Sequence, residues 1–272
     1  MLAFKHRFTT SGERLYYFMR TWISEGTSLD EAFFWLRFLD NAEKWSEFIA
    51  QLIAVSLTGR VITAGRSLNE LYPNDALYER EFRSYLNGYL SIDKDSLNTL
   101  IRFALPAVSA SQSSIPHGAG CELRSWARAE HPVCYLCGNN VSFSDENDDR
   151  AYTADHIWPV SFGGESIIEN LLPACRQCNG QHKRDFATWA MTNIQAIILR
   201  MNPSEDDFRR VQGMHRFALH HRRVQQLAID DGLSLKEAYL RIGPSGDLRS
   251  IDPNDVAHFF NLANYDANVD AW

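Results

Sequence analysis

The apolar positions of the first hundred residues recur at helical spacing. GERLYYFMRTWIS places Leu15, Phe18, Met19, Trp22 and Ile23 on one stripe. Ser28 and Glu31 form a capping-box pattern that opens AFFWLRFLD. From Ala42 to Ser56 the stripe continues through Trp45, Phe48, Ile49, Leu52 and Ile53. Helices are also expected over Asp75–Leu90 and Leu97–Leu105. Ser109 to Gly120, SASQSSIPHGAG, loses periodicity and reads as a linker or an ordered loop. A short helix over Cys121–Ala129 follows it.

The pattern then changes. Ala151 to Trp158 has strand character, and Pro159 with Gly163-Gly164 breaks it into a loop. A second strand is expected over Ile167–Leu172, and a helix from Cys175 to Arg184. Helical periodicity returns over Phe186–Arg200 and again from the Ser204/Asp207 box toward Asp231. Ser234 and Glu237 form a further capping box, and Asp252-Pro253 suits a last short helix. The fold class expected is α+β and mostly helical. The aromatic stripes read as core.

The cysteines alter this picture most. Four of the five stand as two CxxC pairs, Cys134/Cys137 and Cys175/Cys178. Such a pair of pairs offers the four thiolates of a tetrahedral zinc site. Cys121 lies outside the set. Between the pairs stand Asp155, a hard oxygen ligand, and His156, an imidazole able to take a proton near neutral pH. Asn170 and Asn179 follow. The acids Asp145, Glu146, Asp148 and Asp149 lack EF-hand spacing and read as a solvated turn.

The stretch 134–183, with its DHIWPVSFGG, its ENLLPAC and the Asn directly after the second cysteine pair, resembles the HNH endonucleases, the ββα-metal nucleases. The resemblance implies a ββα unit with structural zinc on the four cysteines. It implies a catalytic magnesium or other divalent cation held by Asp155 and Asn179. His156 is then the general base, and Asn170 orients His156 and the loop between the strands. Three positions after Asn179 the family commonly carries a basic residue. Here that slot is His182, which with Lys183 and Arg184 is a candidate for phosphate contact. The domains expected are a helical domain over 1–108, a linker over 109–120, the nuclease domain over 121–200 and C-terminal helices over 201–272.

The function expected is metal-dependent hydrolysis of DNA, by nicking, since the chain carries one such site. RNA cleavage and a zinc-held binding module acting with a partner are the alternatives. The helical N-terminal region suits a protein partner, and the resemblance extends to effectors of bacterial antiviral defence. MLAFKHRFTT has no signal-peptide pattern and no apolar run approaches a membrane span, so a cytoplasmic protein with no membrane partner is expected. A net charge of −7 argues against nucleic-acid binding through bulk charge. The basic cluster Arg209, Arg210, Arg216, Arg222 and Arg223, interleaved with His215, His220 and His221, is a candidate phosphate stripe. The segment after it, Gln226–Trp272, carries three basic and eight acidic residues and is a candidate competitor for that stripe.

Overall fold

The computed structural model describes residues 6–26, 42–90, 92–182, 217 and 220–245. The expected elements at Ser28–Asp40, Phe186–Arg200, Ser204 and Asp252 lie outside these residues, as do Arg209, Arg210, His215 and Arg216 of the basic cluster and the end of the acidic segment. The chain is mostly helical with one two-stranded antiparallel sheet, the α+β class expected.

Helix α1 (Ser11–Gly26) starts with a capping box. The Glu13 amide donates to Thr10 Oγ1 at 3.2 Å, and the Thr10 amide donates to Glu13 Oε2 at 2.9 Å. The other Glu13 oxygen meets His6 Nε2 at 3.0 Å, with both side chains fully buried. Helix α2 (Ala42–Leu71) outruns the periodic stretch read to Ser56, because Val61 and Ile62 keep a face in the core. Helix α3 (Asp75–Tyr89) is capped by Asn74, whose side chain accepts from the Leu77 amide. Helix α4 (Lys94–Ala110) starts at an Asp93 cap and runs through Pro106. The proline gives up one helical N–H bond, and burial of Ala107, Val108 and Ala110 carries the helix past it.

Half of the expected linker is therefore helix. Helix α4 continues to Ala110 and helix α5 (His117–Ala129) begins at His117, which leaves 111–116 as the connection. Leu15, Met19, Ala54, Val61, Phe82, Leu86, Leu100 and Ala104 form the centre of the helical core.

Strand β1 (Tyr152–His156) pairs with β2 (Leu171–Cys175), with Asp155 opposite Leu172 and His156 opposite Leu171. The second strand lies later than the expected Ile167–Leu172, because a 3₁₀ turn at Ile168–Asn170 takes up the earlier residues. After β2 the chain turns helical as expected, but with a π-helical turn over Cys178–His182; the remainder of the expected helix, 183–184, lies outside the described residues. Helix α6 spans 220–231 and α7 spans Leu235–Ile242, the latter with the Ser234/Glu237 capping box expected. Lys236 Nζ donates to Ile168 O at 2.7 Å, and the Arg7 amide donates to Leu233 O at 3.2 Å. The C-terminal helices thus reach both the unit around the two strands and the start of the chain. No helix among the described residues is long and apolar enough to cross a membrane.

Candidate active site and metal centre

Two turns bring the four cysteines together. In the first, the Gly138 amide donates to Cys134 O and the Cys134 amide to Asn139 O, both at 2.8 Å. Gly138 adopts φ +76°, a left-handed conformation that glycine tolerates without strain. In the second, the Cys178 amide donates to Cys175 Sγ at 3.4 Å. The four Sγ atoms all lie within 4.8 Å of one another. Hydrogen bonds from the Cys134 and Cys178 thiols pull the Cys175 thiol down to about 4, and the Cys134 and Cys175 contacts push Cys178 up. Four sulfurs this close become thiolates together only around a cation, so the donor set is positioned to hold a metal ion. Cys121 stays outside, exposed on α5 beside His117.

Asp155 and His156 lie at the end of β1, where strand alternation turns them to opposite faces. Asp155 is only 5% exposed, and its Oδ2 accepts from the Tyr135 hydroxyl at 2.9 Å. Burial, and then the Asp155 carboxylate, hold the Tyr135 phenol well above its usual pKa. His156 is half-buried, with Nε2 2.9 Å from Ser166 Oγ. Ser166 Oγ in turn lies 3.2 Å from Ser113 Oγ, in the α4–α5 connection.

Asn179, on the π turn next to Cys178, donates through Nδ2 to Thr153 Oγ1 at 3.1 Å. Thr153 shares the Asp155 face of β1, two residues back. The π turn therefore delivers Cys178 to the thiol cluster and Asn179 to the strand bearing Asp155. π-Helical turns of this kind recur at functional sites.

Asn170 is 1% exposed and uses both ends of its amide on the loop between the strands. Its Oδ1 accepts from the Trp158 amide at 2.8 Å, and its Nδ2 donates to Trp158 O at 3.0 Å and Glu165 O at 2.9 Å. Asn170 clamps the loop from inside, and the first turn of α1 closes it from outside. The Ser11 amide and hydroxyl donate to the Glu165 carboxylate, and the Gly12 amide donates to Gly163 O at 2.9 Å. A carboxylate at a helix N-terminus is favoured by the helix dipole. The fit is tight: a Cβ on Gly12 would stand 2.0 Å from Phe162 O and 2.4 Å from Trp158 Nε1.

Of the expected phosphate contacts, His182 ends the π turn, its side chain beyond the described atoms, and Lys183 and Arg184 lie outside the described residues. The basic cluster is corrected in part. His220 and His221 are core residues on α6, with His221 Nδ1 2.8 Å from the Tyr239 hydroxyl, so neither belongs to a phosphate stripe. The acidic run behaves as a solvated turn, with Asp145 and Asp148 accepting from the amides of Asn147 and Arg150.

The sequence reading missed Tyr135, Ser166, Glu165 and Thr153. Tyr135 and Ser166 sit inside motifs it used, CYLC and GGES. Only the folded contacts distinguish them from neighbouring polar and aromatic residues.

With this geometry in hand, the family comparison is specific. Residues 134–193 match the family model of the HNH endonucleases, a segment that covers the two cysteine pairs, both strands and the π turn. The segment is therefore similar to the HNH endonucleases, over less than a quarter of the chain. No curated protein and no solved structure matches the chain.

Proposed function

We propose that the chain is a metal-dependent endonuclease that hydrolyses phosphodiester bonds of DNA and introduces nicks. Zinc in the four-cysteine cluster holds the first turn to the end of β2. Asp155 and Asn179 are the ligands of a divalent cation. Both offer the hard oxygen that magnesium prefers, and the bond from Asn179 Nδ2 to Thr153 commits the nitrogen end of that amide to the protein. When bound, the ion supplies Lewis-acid stabilisation of the scissile phosphate and of the leaving 3′ oxygen.

The chain's own residues supply the remainder. His156 takes the proton of the attacking water, a role suited to an imidazole near neutral pH. Ser166 fixes the ring through Nε2. Asn170 holds the loop that presents Ser166 and so acts as a positioning residue. The observation that carries this reading is the meeting of the Asp155 strand and the Asn179 turn through Thr153, beside the thiol cluster.

The test is incubation of purified protein with supercoiled plasmid, with and without magnesium, beside the His156→Ala variant and a parallel RNA substrate. Relaxed circles that require both magnesium and His156 are the expected result. Cleavage of RNA with intact plasmid would overturn the DNA reading. Equal nicking by His156→Ala would overturn the catalytic one.

A further inference from the structure

Tyr135 sits between the first two cysteines of the metal cluster, yet its hydroxyl reaches the strand that carries Asp155. Its backbone amide donates to Pro173 O at 3.0 Å, and Pro173 pairs with Ala154 across the sheet. The ring is therefore located from two sides. The cysteine turn fixes its backbone, and β2 fixes the same turn to the ladder containing Asp155. The ring is 3% exposed and packs edge-on against Tyr239 at 4.9 Å, and Tyr239 bonds His221 on α6.

From this geometry we infer that Tyr135 is the positioning residue for Asp155, so that its phenol links the cysteine cluster to the Asp155 divalent-cation site. The inference rests on the proposed reading of Asp155 as a metal ligand. Its physical basis is the cost of a buried carboxylate. A carboxylate taken out of water needs a hydrogen-bond donor, and a charge-assisted O–H bond is among the stronger ones available. A donor at a fixed point also sets the rotation of the carboxylate plane, and with it the direction in which the oxygens meet a cation. Partners of this kind orient metal ligands and commonly contribute 10- to 100-fold to metal affinity. A phenylalanine would fill the same space against Tyr239, so packing alone does not call for the hydroxyl.

The experiment is direct titration of the zinc-loaded, full-length protein with manganese, read by calorimetry or by the paramagnetic signal of the free ion. Wild type, Tyr135→Phe, Asp155→Ala and the double variant are compared. Zinc content and thermal midpoint are measured for each, because Tyr135→Phe keeps the ring and is expected to retain zinc and the fold while its midpoint falls modestly, Asp155 having lost a donor. Tyr135→Phe is expected to weaken manganese binding about 10- to 100-fold. In the Asp155→Ala background it is expected to add no further loss, since a residue that acts through Asp155 has nothing left to orient. Unchanged affinity in Tyr135→Phe, alongside a clear loss in Asp155→Ala, would overturn this inference and leave the proposed function standing. Unchanged affinity in Asp155→Ala would overturn both. Loss of zinc together with manganese in Tyr135→Phe would mean that the hydroxyl supports the cysteine turn, which also overturns the inference.

Discussion

Replacing Asn170 with aspartate keeps the shape of the side chain and removes its two N–H donors. The Oδ1 atom can still accept from the Trp158 amide, but Trp158 O and Glu165 O lose their partner and face a carboxylate oxygen instead. Leaving a buried carbonyl without a donor costs about 1–3 kcal/mol, so two cost about 2–6 kcal/mol. The loop has little room to relax. A Cβ on Gly164 would already stand 1.9 Å from the same Trp158 O. The introduced carboxyl is stabilised in its protonated form, which donates to one of the two carbonyls, so its folded pKa rises above the unfolded value of about 3.9. The native state then binds more protons than the unfolded state, and its stabilisation is fully present below the unfolded pKa and lost as pH rises through the folded one. The assay is urea unfolding of Asn170→Asp and wild type at pH 5 and pH 8. The deficit of the variant is expected to be largest at pH 8 and to shrink at pH 5. A deficit below about 1 kcal/mol at pH 8, or one that grows on acidification, would refute the clamp.

Other expectations concern the metal cluster, the loop and α6. Serine in place of any of Cys134, Cys137, Cys175 or Cys178 should lower metal content and stability together, since a structural ion contributes its binding free energy to folding. Zinc retained in a variant lacking both Cys175 and Cys178 would contradict this. Gly12→Ala should lower stability by about 1–3 kcal/mol, because the first turn of α1 must back away from Phe162 O; an unchanged melting temperature would contradict the contact. Ser166→Ala should lower the cleavage rate while leaving plasmid affinity intact, and equal rates would show that the His156 ring is held by other means. Burial, aided by the Arg223 charge, lowers the His220 pKa from its ordinary value to about 4, partly offset at the Gly243 backbone. The unfolded chain therefore binds a proton before the native one does. Stability is lost as pH falls from about 6.5 toward 4, by up to about 3 kcal/mol from this group. His220→Gln should flatten the acid limb of the stability curve.

The four-cysteine cluster was legible because the spacing of its pairs encodes it, whereas the roles of Asp155, His156, Asn170 and Asn179 came from the family resemblance. Two CxxC pairs need no tertiary information to be named. The second strand was placed too early for a physical reason: all five residues of Leu171–Cys175 are buried, so β2 shows no polar alternation to mark its ends. The length of α2 was underestimated because its later turns are buried at Val61 and Ile62 but run past polar Thr58 and Thr63. Roles that depend on distant partners were not legible at all. Nothing in GGES announces that Glu165 binds the start of α1, or that Ser166 meets His156. The histidines of the basic cluster misled in the opposite direction, because an HH pair reads as cationic until its burial is known.

The bond between Ser11 and Glu165 joins residues 154 positions apart. Synthesis runs from the N-terminus, so α1 leaves the ribosome long before the loop that its first turn closes. Contacts of such long sequence separation form late and slow the folding that depends on them. The helical segment must therefore wait, partly formed, for the nuclease unit to emerge. The loop beside His156 becomes complete only when both ends of this span are present, so a chain interrupted before residue 165 carries helices without an assembled site.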